Sequence, residues 1–293
     1  MSQSLKEQIR AIGDVFNMET IEQTRALYAK LVPSPALATC NIDRDVAYGP
    51  DPRHRLDVFS PLDDSNRSRP VLVFVHGGGF VAGDKGTADS PFFNNIGIWA
   101  AAQGFISINM THRLAPGAQW PAGAEDVAAA VAWIADNVVG HYGGAADSVF
   151  MMGHSAGAVH VASYLTQPAF HRLGDPSLAG AILVSGVYAV DRARYVQHLT
   201  AYFGEDRSTY ASRSSLAGLT ETEVPLMFIV SEFDTYDFHH QAGLVIEAFL
   251  NKTDALPRLI YLSDHNHVSS TLQIGTADDS LGCELINFIR RFS

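Results

Sequence analysis

The run "PVLVFVH", residues 70 to 76, is almost continuously apolar and is followed at once by Gly77-Gly78-Gly79. A strand with one wet face alternates in polarity. An unbroken run of this kind suits a strand covered on both faces, as in a parallel sheet flanked by helices. Glycine loses more freedom on folding than any other residue, so three in a row against a buried strand imply that bare backbone is needed there.

The remaining pattern agrees. "FISINM", "SVFMMG", "GAILVSG", "PLMFIVS" and "RLIYLS" read as strands, separated by helical stretches such as "GAEDVAAAVAWIADNVV" and "HHQAGLVIEAFLN". Such alternation implies a mainly parallel, doubly wound sheet. "RDVAY" and "HRLDVF" alternate like antiparallel strands, and "DDSNRSR" at 63–69 reads as a hairpin-type turn. Residues 1 to about 32 read as helix, with Ile9, Ile12, Val15 and Phe16 on one face. A stretch at about 187–223 breaks the rhythm, and long excursions of this kind commonly serve as lids or binding loops. The expected organisation is one α/β domain over 1–293, with cap elements from 1–40 and about 187–223.

Composition narrows the partners. The net charge of −11 is spread along the chain, whereas nucleic-acid binding needs clustered Lys and Arg. The first residues carry charges where a signal peptide needs an apolar core, and no apolar run reaches the roughly 18 residues of a membrane span. The expectation is a cytoplasmic protein with no membrane or nucleic-acid partner, monomeric or homodimeric. Cys40 and Cys283 are too far apart in sequence to read as a disulfide framework or a zinc motif. No H-E-x-x-H occurs, and neither metal nor cofactor is expected.

Gly153-His154-Ser155-Ala156-Gly157 lies directly between a strand and a helix. A serine at such a turn projects at the strand's carboxyl end, and glycines at minus two and plus two let the backbone crowd there. Attack by its hydroxyl on a carbonyl creates an oxyanion that needs preorganised donors. Gly78 and Gly79 offer unobstructed N–H groups, and Ala156 offers a third at a helix start. A serine nucleophile also needs a base and an orienting acid, which follow in the order Ser, acid, His in this kind of sheet. Asp234 lies just past "PLMFIVS", with Glu232 on the strand end and Asp237 opening the next helix. His265 and His267 lie past "RLIYLS". His267 is further into the loop and is the preferred base, with His265 the alternative. Glu125 and Asp126 open a helix, where dipole complementarity accounts for them. His154 is expected to point away from the pocket as a hydrogen-bonded structural residue. Phe80, Trp120, Tyr188 and Phe203 are candidates for the substrate pocket or for core packing.

The set "HGGGF", "HRLAP", "GHSAGA" and the C-terminal Asp and His resembles the α/β-hydrolase superfamily over roughly residues 44 to 293. It is most similar to the hormone-sensitive-lipase-like carboxylesterases, and "GHSAGA" and "SEFD" also resemble the kynurenine formamidase branch. The resemblance implies an eight-stranded, mostly parallel twisted sheet with helices on both faces and a small helical cap. It implies Ser155 as nucleophile, Asp234 as acid, His267 as base, and Gly78, Gly79 and Ala156 as the oxyanion hole. Many relatives have tyrosine at the position of His112 and aspartate at that of His154; neither departure touches the triad. The expected activity is cleavage of small-to-medium carboxylic esters. An amide or formamide substrate is the alternative, and a non-catalytic small-molecule receptor is the alternative of another class.

Overall fold

The computed structural model describes residues 3–32, 39–63, 68–171, 178–194 and 197–293. Parts of the expected cap at 33–38 and 195–196, and the centre of the expected turn at 64–67, lie outside the described residues.

Eight strands form one sheet: β1 (Cys40–Ala47), β2 (Arg55–Pro61), β3 (Arg69–Val75), β4 (Ile106–Met110), β5 (Gly144–His154), β6 (Gly180–Val184), β7 (Leu226–Phe233) and β8 (Leu259–Asn266). Their order is β1-β2-β4-β3-β5-β6-β7-β8. β1, β2 and β4 pair antiparallel, and every pairing from β4 to β8 is parallel. Because β4 lies between β2 and β3, these two strands do not pair as the hairpin expected across 63–69.

The sheet is covered on both faces, as the unbroken apolar strands require. Odd-numbered residues of β3, Val71, Val73 and Val75, face α4 (Ala122–Tyr142) and α5 (Ala156–Thr166). Even-numbered Leu72 and Phe74 face α3 (Asn94–Ala102) and the last helix. Both sets are buried, so neither face of β3 could carry polar side chains.

The segment after β6 holds three short helices, α6 (Gln197–Phe203), α7 (Tyr210–Arg213) and α8 (Leu216–Leu219). α9 (Tyr236–Thr253), the single turn α10 (Ser269–Leu272) and α11 (Ser280–Phe292) complete the described helices. The N-terminal stretch is two helices, α1 (Gln3–Ile12) and α2 (Met18–Tyr28), not one continuous face. Gly13, with φ of 69°, ends α1, and Asn17 starts α2 with a capping box shared with Thr20. Val15 and Phe16 therefore sit in the bend. Leu5, Ile9 and Tyr28 bury themselves with Leu272 of α10. The first two helices thus rest on the segment that follows β8. Among the described residues no helix is long and apolar enough to cross a membrane.

Candidate active site

Ser155 stands at the turn between β5 and α5. Its φ of 55° with ψ of −119° is a conformation that side-chain-bearing residues seldom adopt. Neighbouring backbone over-determines it. The Ser155 N–H donates to the Val184 carbonyl of β6 at 2.8 Å. A Cβ on Gly153 would lie 2.5 Å from the Gly157 carbonyl oxygen, and one on Gly157 would lie 2.1 Å from that of Val75. Three segments meet at van der Waals contact here, which is why the serine needs a glycine two residues to either side.

The glycine loop after β3 lies against this turn. A Cβ on Gly77 would be 3.0 Å from the Ser155 Cβ. Gly78 has φ of 127°, and a Cβ there would be 2.0 Å from the Ala82 carbonyl oxygen. Gly79 has φ of 59° and faces the His198 ring. Gly79 and Ala156 border the cavity that Ser155 opens into; Gly78 is not among its lining residues. Beneath the loop, the His76 and His112 rings stack at 4.3 Å, and His160 stands edge-on to His112 at 4.5 Å. Burial holds all three below the usual histidine range, so they are neutral imidazoles.

The candidate acid and base come from the ends of β7 and β8. The His267 Nδ1 lies 2.6 Å from Asp234 Oδ1. Asp234 Oδ2 accepts from the Ser185 hydroxyl at 2.6 Å and from the Ser231 N–H at 2.7 Å. Burial pushes the Asp234 carboxyl up. The hydrogen bond and charge of His267, with Ser185 and Ser231, pull it further the other way, and the net position is below the usual value. An ionised carboxylate only accepts, so the His267 Nδ1 carries the proton and Nε2 is left as a base. That Nε2 is buried without a hydrogen-bond partner among the described residues, Ser155 Oγ included. Such bonds commonly close only when substrate binds.

His265, the alternative base, does not reach Asp234. Its Nδ1 meets Ser269 Oγ at 3.1 Å and its Nε2 lies 3.9 Å from Asp278; burial holds it down to about 4. His154 is hydrogen-bonded, and its partner is the base's own segment. Its Nε2–H donates to the His267 carbonyl at 2.9 Å, and the two rings are 4.8 Å apart. Glu232 accepts from the Asp264 N–H at 2.7 Å. Asp126 is buried and binds the Arg113 backbone and guanidinium as well as His54, so it anchors "HRLAP" and is more than a complement to a helix dipole.

The cavity beside Ser155 measures about 230 Å³. Phe80 borders it, with Phe16, Val159, Leu199 and Phe238. The other three aromatic candidates are not in this lining, and each has a packing role. Phe203 is fully buried edge-on to Phe80. Tyr188 is buried against Phe228. Trp120 packs beside the same cluster under the Arg213 guanidinium. Sequence reasoning missed Ser185, Phe16 and Phe238. Ser185 had one visible signal, its place directly after a buried strand; the other two had none. Among the described residues no three His, Cys, Asp or Glu side chains converge as metal ligands would.

Across 99% of its length the chain matches esterase B from Lactobacillus Rhamnosis (HN001), with a TM-score of 0.76 and 16% identity over 95% of that chain. The chain has the α/β-hydrolase fold. A hyperthermophilic esterase from Pyrobaculum calidifontis matches this chain with a TM-score of 0.73, at 17% identity over 99% of this chain and 98% of that one. The BD-FAE family model matches residues 56–172, a span with the glycine loop and Ser155 but not Asp234 or His267. Esterase LipC of Mycobacterium tuberculosis is 32% identical over 166 residues, which is 57% of this chain and 38% of LipC. Carboxylesterase 1D of Rattus norvegicus is 33% identical over 153 residues, 46% of this chain and 25% of that protein. The chain thus spans less than half the length of both relatives.

Proposed function

We propose that the protein is a carboxylesterase that cleaves small-to-medium esters through an acyl-enzyme. The observation that carries this reading is the 2.6 Å bond between Asp234 and the His267 Nδ1, which leaves Nε2 without a hydrogen-bond partner among the described residues, in a chain whose Ser155 stands on a strained strand-to-helix turn. Ester hydrolysis by the named relatives and fold neighbours supports it.

In the proposed cycle His267 Nε2 takes the Ser155 proton as Oγ attacks the ester carbonyl. Asp234 fixes the tautomer and stabilises the imidazolium. The N–H groups of Gly78, Gly79 and Ala156 receive the oxyanion, each worth roughly two to four kcal/mol of barrier. His267 returns its proton to the departing alcohol. Water then attacks the acyl-Ser155 ester and regenerates the serine. The helical bend at 13–17 and the excursion containing α6 together form the proposed cap. At about 230 Å³ the cavity is below the usual 300–1,000 Å³ of drug-sized sites, which favours short acyl or alcohol groups.

The test is hydrolysis of p-nitrophenyl acetate, p-nitrophenyl octanoate and N-formylkynurenine, with fluorophosphonate labelling beside it. The expected result is one label, on Ser155, with acetate turned over faster than octanoate and the formamide slowest. A preference for the formamide moves the protein to the arylformamidase alternative. Ligand binding without labelling would indicate a receptor.

A further inference from the structure

Resting on the reading of His267 as the base, we propose that Phe16 is a positioning residue for it. The two N-terminal helices then hold the catalytic histidine as well as walling the cavity.

Three rings surround the His267 imidazole. Phe238 stacks on it at 4.3 Å with 17° between planes. His154 lies tilted at 4.8 Å, and Phe16 meets it edge-on at 4.6 Å and 67°. Phe238 and His154 belong to the sheet's own helix and strand. Phe16 arrives from about 250 residues away in sequence. It is 45% exposed, so core packing does not account for its position.

The bend that presents Phe16 is fixed at both ends. Gly13 terminates α1, and Thr20 closes the capping box while its hydroxyl donates to the Val15 carbonyl at 2.8 Å. The same two helices also grip the chain just before His267. Lys6 and Arg10 of α1 reach the Asp264 carboxylate at 2.6 and 3.1 Å. Asp264 has φ of 65°, a kink that the ion pairs hold in place. On α2, Thr24 Oγ1 and Asn266 Nδ2 meet at 2.9 Å and are buried. Residues 264, 266 and 267 each therefore touch the N-terminal segment.

Among the described residues the His267 ring has one hydrogen bond, at Nδ1, and three ring contacts to hold it. Phe16 supplies one of three ring contacts. Without it, the ring gains freedom about the Asp234 bond and productive alignment with Ser155 becomes rarer. The penalty falls on kcat and not on binding.

The test is steady-state kinetics on p-nitrophenyl acetate, a substrate too small to need the outer cavity wall. Phe16→Ala should lower kcat roughly tenfold, with KM within about twofold, and Phe16→Tyr should restore it. The double variant Lys6→Ala/Arg10→Ala, which leaves the cavity lining unchanged, should lower kcat in the same direction. Melting temperature is followed for each variant to confirm folding. If Phe16→Ala changes only KM, or only the octanoate-to-acetate preference, Phe16 is a pocket wall and the proposal fails. If the wild type takes no fluorophosphonate label, the esterase reading fails, and this proposal falls with it.

Discussion

The two halves of the candidate site are built differently. The nucleophile half, from β3, β5 and α5, is made of backbone pressed on backbone. A Cβ on Gly157 would stand 2.1 Å from a main-chain oxygen, and one on Gly78 would stand 2.0 Å from another. The base half is made of side chains drawn from distant segments: Asp234, Ser185, His154, Phe238 and Phe16 all converge on His267 or its partner. Backbone contact at such distances permits one residue type, whereas a ring contact can be met by several. The first half is therefore rigid and narrowly specified, and the second is adjustable.

The sharpest way to test the division is Asp234→Asn, which alters the base half while keeping its shape. The amide offers its NH₂ to the Ser185 or His267 side, where the carboxylate accepts two side-chain bonds and one backbone bond. The wrong His267 tautomer is then favoured. We expect kcat to fall by about 10⁴ with the melting temperature little changed. Loss of activity below tenfold would show that the bond at 2.6 Å is not part of catalysis.

Gly157→Ala tests the other half. The added methyl group meets the Val75 and His76 carbonyl oxygens, neither of which can rotate aside. β3 or α5 must shift, and we expect a loss of about 3 kcal/mol or more in urea unfolding, together with most of the activity. A variant as stable as the wild type would mean that the turn is looser than its contacts imply.

The same division explains how much of the molecule was readable from its sequence. The sheet was legible because β3, β5, β6 and β7 carry apolar side chains on both faces, and the nucleophile turn because glycine alone fits at 78, 153 and 157. Asp234 and His267 were legible as types at strand ends. The preference for His267 over His265 came from loop position, and the hydrogen bonds to Asp234 and to Ser269 now separate the two. Phe16 was not legible. Its apolar character fits a helix face equally well, and only the break at Gly13 turns it toward His267. Of the aromatic candidates Phe80 lines the cavity, whereas Tyr188 and Phe203, equally suited by composition to lining or to core, are buried in packing.

Acid stability should separate the halves more gently. His76, His112 and His160 lie on the nucleophile side and His154 and His265 on the base side, and burial holds each below the usual histidine range. His154 is held down to about 3 and His265 to about 4. In the unfolded chain each titrates near 6.5. Above that value neither state binds the proton, and their contribution to stability is complete. As pH falls below about 6.5 the unfolded state takes up protons that the folded state refuses, so stability drops by about 1.4 kcal/mol per pH unit for each such histidine, until the folded pKa is reached. Melting temperature should therefore fall between pH 6.5 and 4, before most carboxylates titrate. His160 isolates one proton of this effect. Both its ring nitrogens are buried without partners among the described residues, in a nest of Phe80, His112 and Tyr202 rings. An apolar side chain of similar volume removes a polar group that gains nothing there. His160→Leu should accordingly raise the melting temperature more at pH 5 than at pH 8. Equal shifts at the two pH values would mean that His160 is protonated to the same extent in the folded and unfolded chains, against its burial.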